Sequence, residues 1–165
     1  MAPPHNALAN IELLVLDVDG VLTDGQLLYG AEGEIGKSFN VKDGYGLRRL
    51  LTAGVHIAAI GGRRSDGALM RLSELGIEHI HLGCRDKVAV LTQLQQALKL
   101  NPDQTAVMGD DLPDLAMMAL GAIRIAPADA VAALRDQTDW VTSLPGGRGA
   151  VREVCDALLA AREGR

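Results

Sequence analysis

Short apolar runs recur along this chain, separated by longer stretches in which apolar and polar residues alternate at helical spacing. The first run, Ile11 to Leu16, is unbroken and too short for a helix. It predicts a strand buried on both faces, as in a parallel sheet. Val55–Ile60, Glu78–Leu82, Thr105–Met108, Ala122–Ile125 and Trp140–Thr142 predict further strands. Between them, Asp43 caps a predicted helix over Gly44–Leu51 with Gly54 as its stop, and Ser65 caps another that ends at Gly76. Further helices are expected from Asp86 to Leu100, over Ala128–Arg135 and from Ala150 to Arg162, and Pro113 stands where first-turn prolines are favoured. Strand–helix alternation of this kind implies the α/β class, a doubly wound parallel sheet with helices on both faces and right-handed crossovers.

Two pieces stand outside the alternation. Gln26–Tyr29 and Ile35–Val41 flank Gly30-Ala31-Glu32-Gly33, which predicts a β-hairpin inserted at 26–41. Three of the chain's aromatic residues, Tyr29, Phe39 and Tyr45, lie in or beside it, which suits a contact between subunits. Residues 1–9 read as a loose head, and 1–165 as a single domain. Once the sheet is counted, the hairpin leaves no room for a separate domain over the site.

Composition narrows the function classes. A net charge of −5, few aromatic rings and no basic block argue against a nucleic-acid partner. No apolar run approaches membrane-spanning length, and the start shows no secretory pattern. Cys84 and Cys155 have no metal-ligand spacing and read as reduced thiols of a cytoplasmic protein.

In parallel sheets of this kind ligands bind beyond the carboxyl ends of the strands. The first strand ends in Asp17-Val18-Asp19-Gly20, two acids whose i, i+2 spacing in extended backbone turns them to one face. Close carboxylates repel, so one must hold its proton or a cation must sit nearby. The strand at 105–108 runs into Gly109-Asp110-Asp111-Leu112-Pro113-Asp114, bringing more carboxylates to the same edge. Asp110 is nearest the strand end and is the better metal ligand, whereas Asp111 and Asp114 also suit helix caps. Oxygen ligands in small number are what Mg²⁺ prefers. Lys87 stands in the first turn of its helix, where the macrodipole disfavours a cation, so phosphate or carboxylate charge is its expected partner. Gly61-Gly62-Arg63, after the strand at 55–60, can offer backbone N–H groups to a phosphate.

The stretches LDVDGVLTDG, FNVKDGYGLR, GGR, DK, GDDLPD and GGRGAVREVCD run in this order from residue 16 to 156. In this the chain resembles the haloacid dehalogenase-like phosphatases, and within them the 3-deoxy-D-manno-octulosonate 8-phosphate phosphatase subfamily. The resemblance implies a Rossmann-like fold of the haloacid dehalogenase type. It implies Asp17 as a nucleophile that becomes an aspartyl-phosphate, Asp19 as the acid and base, and Lys87 as a charge that steadies both Asp17 and the transferring phosphoryl oxygens. It also implies Mg²⁺ on Asp17, the Asp19 backbone carbonyl and Asp110. For substrate binding it points to Asn40, Val41, Lys42, Asp43, Gly44, Arg48, Gly61, Gly62, Arg63 and Arg71, with Arg148 reaching toward a neighbouring subunit. Arginine suits a sugar-acid carboxylate because its planar fork binds both oxygens. The implied substrate is a phosphorylated sugar acid on the route to lipopolysaccharide, and the implied assembly a homotetramer built on the hairpins. Gly61 departs from the pattern, since relatives carry Thr or Ser there.

Other readings are a phosphatase of a nonulosonate 9-phosphate, a phospho-receiver module, and a non-catalytic relative. A receiver carries its phosphoacceptor on a central strand apart from the acid pair, and the hairpin after the first strand does not suit one. Gly61 is the only residue that favours the non-catalytic reading.

Overall fold

The computed structural model describes residues 5–163. In chain order the elements are α1 (His5–Leu8), β1 (Leu13–Leu16), β2 (Leu28–Gly30), β3 (Gly33–Gly36), α2 (Val41–Thr52), β4 (His56–Gly61), α3 (Asp66–Glu74), β5 (His79–Leu82), α4 (Lys87–Leu98), β6 (Thr105–Met108), α5 (Leu115–Met118), β7 (Ile123–Ala126), α6 (Ala132–Arg135), β8 (Trp140–Val141) and α7 (Ala150–Glu163). Six strands form one sheet in the order β5-β4-β1-β6-β7-β8, every pair parallel. This is the expected doubly wound α/β fold.

β1 explains why. All four of its residues are buried, and they alternate between two cores. Leu14 and Leu16 join Leu47, Leu50, Leu72 and Val151 beneath α2, α3 and α7. Leu13 and Val15 join Leu91, Met117 and Leu134 beneath α4, α5 and α6. A strand between two helical layers has no solvent face, hence the unbroken apolar run. β1 has β4 on one side and β6 on the other, so the winding reverses here and a crevice opens at the carboxyl end of β1.

β2 and β3 pair antiparallel as a separate two-stranded sheet turning on Ala31 and Glu32. The second strand is earlier than the expected Ile35–Val41, because the chain needs Ser38–Asn40 to enter α2. That helix begins at Val41, capped by Asn40 rather than Asp43, with the Asn40 side chain accepting from the Lys42 N–H at 2.8 Å. Ser65 caps α3 as expected, whereas Asp86, the expected first residue of the next helix, stands before α4 as its cap and accepts from the Ala89 N–H. The short helix of the expected Ala128–Arg135 stretch is confined to α6. Residues 1–4 of the expected loose head lie outside the described residues, while His5–Leu8 forms a helical turn that buries Leu8.

Candidate active site

Asp17 follows β1 directly, its N–H donating to the Met108 carbonyl at 3.0 Å. The chain then leaves extended geometry in a wide turn over Val18–Leu22, with Gly20 at φ +95°. Gly20 is required there twice over. A Cβ on it would lie 2.1 Å from Asp110 Oδ2, so the Asp110 carboxylate occupies the notch that glycine leaves. The Thr23 hydroxyl oxygen accepts from the N–H groups of Gly20 at 3.3 Å and Gly25 at 3.2 Å and holds the turn closed. The loop before α7 backs it from behind. Gly147 N–H donates to the Val21 carbonyl at 2.9 Å, and a Cβ on Gly146 would lie 1.8 Å from the Gly20 carbonyl oxygen.

Asp17, Asp110 and Asp114 each present a carboxylate oxygen, all within 4.8 Å of one another. Lys87, first residue of α4, donates from Nζ to Asp17 Oδ1 and to Asp114 Oδ1, the latter at 2.7 Å. The other Asp114 oxygen accepts from the Asp110 N–H at 3.1 Å. Burial, then the Asp114 charge, push the Asp17 carboxyl up to about 6, against the pull of Lys87. Burial and the charges of Asp17 and Asp114 push Asp110 up to about 7. Burial would lower the Lys87 ammonium, but Asp17 and Asp114 outweigh it and hold it above the usual lysine range. Three acids against one ammonium leave a surplus of negative charge in a sheltered place, and the donors are all hard oxygens. That is the chemistry of a Mg²⁺ site, and these residues fit one.

Asp19 behaves differently. The strand ends before it, so Asp17 and Asp19 do not share partners as extended spacing would have them do. The Asp19 carboxylate turns toward the hairpin, where it pairs with Lys37 and lies 3.9 Å from Arg63 Nε. Lys37 also reaches Glu34 Oε2 at 3.4 Å, and its side chain is only 1% exposed. A hydrogen bond from Ser65 and the Lys37 charge hold the Glu34 carboxyl below its usual range. Arg63 completes the group by donating to the Tyr29 hydroxyl and lying 3.8 Å from Glu34.

The other predicted substrate residues are spread more widely. Asn40 caps α2 and donates to the Gly147 carbonyl at 3.4 Å, which ties the helix start to the loop behind the turn. Val41 and Lys42 are exposed at the same helix start. Asp43 is buried and accepts from the Arg152 N–H at 2.8 Å, joining α2 to α7. Gly44 lets the Arg71 guanidinium lie against α2, since a Cβ there would meet Arg71 Nη2 at 2.6 Å. Arg48 lines a depression of about 590 Å³ with Tyr45, Arg49, Thr52, Ala53 and Leu159, none of which belongs to the acid group. Arg148 is an exposed partner of Asp24 at 2.9 Å. Gly62 is exposed, and Gly61 is buried against Val18, whose Cγ2 would lie 3.0 Å from a Cβ at position 61.

Two residues of this constellation escape a reading of the sequence. Asp111 is a local cap, its side chain accepting from the Leu112 N–H at 2.7 Å, whereas Asp114 joins the acid cluster. Its separation of four residues from Asp110 across the Pro113 turn was the available signal. Lys37 sits in Gly36-Lys37-Ser38, which reads as an ordinary exposed linker, and nothing local marks it for burial.

Comparison with known proteins bears on this geometry. A profile of the haloacid dehalogenase-like hydrolases matches residues 73–151. The 3-deoxy-D-manno-octulosonate 8-phosphate phosphatase KdsC of Yersinia pestis is 46% identical over 155 residues, spanning 94% of this chain and 83% of that protein. The crystal structure of the Yersinia pestis phosphatase superposes with a TM-score of 0.94 at 45% identity, covering 96% of this chain and 86% of that one. The Moraxella catarrhalis phosphatase, solved with a magnesium ion, a phosphate ion and a KDO molecule, gives a TM-score of 0.93 at 39% identity, covering 97% and 92%.

Proposed function

This chain belongs to the haloacid dehalogenase-like hydrolases, within the 3-deoxy-D-manno-octulosonate 8-phosphate phosphatases, and is a phosphomonoesterase; from that premise we propose that it hydrolyses 3-deoxy-D-manno-octulosonate 8-phosphate, with Mg²⁺, through an aspartyl-phosphate on Asp17. The observation that carries the reading is the meeting of Asp17, Asp110, Asp114 and Lys87 at the carboxyl end of β1. Mg²⁺ held by Asp17, Asp110, Asp114 and the Asp19 backbone carbonyl would neutralise the charge that keeps one anion from attacking another.

In this reading one oxygen of Asp17 is engaged by Lys87 and the other attacks phosphorus. The bond from phosphorus to the sugar oxygen breaks, and that oxygen takes a proton from Asp19. Asp19, now a carboxylate, takes a proton from water. The hydroxide attacks the aspartyl-phosphate, releasing phosphate and restoring Asp17. Lys87 keeps the attacking carboxylate in place and faces the charge gathering on the phosphoryl oxygens. Gly61 ends β4 and Gly62 follows it, and in this reading their backbone N–H groups serve the phosphate. Arg63, Arg71 and the start of α2 supply the sugar-acid contacts, with Arg148 acting across a subunit boundary.

The reading extends to a cytoplasmic homotetramer. Leu28, Tyr29 and Ile35 on the hairpin are 60%, 56% and 66% exposed, apolar side chains that subunit contacts would cover. Among the described residues no helix is long and apolar enough to cross a membrane. A monomer by light scattering at micromolar concentration would count against the assembly.

The deciding experiment is phosphate release, with Mg²⁺ and with chelator, from the octulosonate 8-phosphate, a nonulosonate 9-phosphate and an aryl phosphate. The octulosonate ester should be preferred, and both chelation and Asp17→Asn should abolish turnover. Persistent turnover in Asp17→Asn would sink the nucleophile assignment, and preference for the nonulosonate ester would change the substrate.

A further inference from the structure

The two acids that follow β1 are each held by a lysine, and the lysines come from different parts of the chain. Asp17 is held by Lys87 from the main fold, and Asp19 by Lys37 from the segment that closes the hairpin. Lys37 is unusual in its burial: its side chain is 1% exposed, and its ammonium meets Asp19 and Glu34. A buried ammonium is tolerated only where carboxylates compensate it, and once compensated it is held to one place. Arg63 cannot do the same work, because it is 41% exposed and 3.9 Å from Asp19. The position of the Asp19 carboxylate therefore depends on Lys37 more than on any other side chain in contact with it.

We propose that Lys37 is a positioning residue for the reaction: it fixes one oxygen of Asp19 so that the other faces the leaving oxygen and then the attacking water. This rests on the reading that Asp19 moves the proton. Because Lys37 lies at the base of the hairpin, seating the hairpin and setting the acid are one event. Glu34 on β3 anchors Lys37 from its other side. Misplacement of a reacting group by about 1 Å costs on the order of 10²-fold in rate, which sets the scale of the effect.

The test is a double-mutant cycle on the Mg²⁺-loaded enzyme, using an aryl phosphate whose good leaving group keeps Asp19→Asn measurable. Lys37→Met keeps the buried stem and removes the ammonium. Lys37→Gln is measured beside it, since its amide preserves a donor. Expected is a fall in kcat of about 10–100-fold for Lys37→Met, with KM and the Mg²⁺-induced rise in Tm unchanged and a smaller loss for Lys37→Gln. In the Asp19→Asn background, Lys37→Met should cost almost nothing more, because its effect passes through Asp19. Equal losses in both backgrounds, or no loss in either variant, would overturn the proposal while leaving the role of Asp19 intact. Failure of both variants to fold would reduce Lys37 to a structural tie and also overturn it. Full activity in Asp19→Asn would instead remove the acid–base reading on which the proposal stands.

Discussion

Removing Asp110 should make the metal-free protein more stable. Its carboxyl rises from 3.8 to about 7 on folding, through burial and the charges of Asp17 and Asp114. A carboxyl raised in this way subtracts from stability. The penalty is absent below the unfolded value near 4, grows as pH rises, and is complete above the folded value near 7. A shift of about three units corresponds to roughly 4 kcal/mol at most. Because Asp110 is only half-buried, solvent screening reduces this to roughly 1–2 kcal/mol. Asp110→Asn lifts the penalty, and its amide can donate to the neighbouring carboxylates. In chelator at pH 8 the variant should melt roughly 2–8 °C above the parent, and at pH 5 the gap should narrow. Adding Mg²⁺ should reverse the order. At a hundredfold excess over Kd the parent gains about 2.7 kcal/mol, while the variant, short of one ligand, gains little. The assay is a pair of thermal melts at two pH values, with and without Mg²⁺. A variant that melts below the parent in chelator at pH 8, or one that keeps the full Mg²⁺ shift, refutes the account of the site as an uncompensated acid cluster.

The same acids predict proton release. Near pH 6.5 Mg²⁺ binding should expel roughly one proton, because Asp110 (about 7) and Asp17 (about 6) must both ionise, and the release should vanish by about pH 8.5; calorimetry in buffers of differing ionisation enthalpy measures it. Gly20→Ala places a methyl 2.1 Å from Asp110 Oδ2 at φ +95°, so it should cost roughly 2–3 kcal/mol and abolish the Mg²⁺ shift in the same melts. At position 61 a hydroxyl is worth roughly 1.5–3 kcal/mol if it reaches the phosphoryl group. Gly61→Ser should therefore raise turnover by up to roughly 10–100-fold, and Gly61→Thr less, because its β-branch adds to the contact with Val18 that a Cβ makes at 3.0 Å. No gain in either variant shows that the hydroxyl is not missed.

Sheet and site were legible in the sequence to different depths. The strands were plain because a doubly covered parallel sheet writes itself as unbroken apolar runs, and Leu13–Leu16 is such a run. Asp17, Asp110 and Lys87 were legible because each stands within a residue or two of a strand end or helix start. Helix starts were less so: Asn40 and Asp43 both suit a cap, and only the packing of α7 shows that Asp43 is claimed by the Arg152 N–H. Asp114 reads locally as a cap, and its part in the cluster depends on Lys87, which comes from a different helix, at the start of α4. Lys37 was invisible. A lysine between a glycine and a serine looks solvated, and its burial arises only when the hairpin folds back on Asp19. Properties that depend on two distant segments meeting leave no local trace.

The glycine loop that backs the Val18–Leu22 turn has a consequence for synthesis. The turn carrying Asp19 lies near the start of the chain, and its backing at Gly146 and Gly147 lies near the end. Domains fold as units, and α7, which follows that loop, supplies Val151, Val154 and Leu158 to the core beneath β1. A growing chain therefore cannot cover that side of the sheet or back the turn until the Gly146–Gly147 loop and α7 have been made. The acid cluster and its support should then form together rather than in sequence. Fragments that stop short of Pro145 should show no cooperative melt and no Mg²⁺-induced rise in Tm.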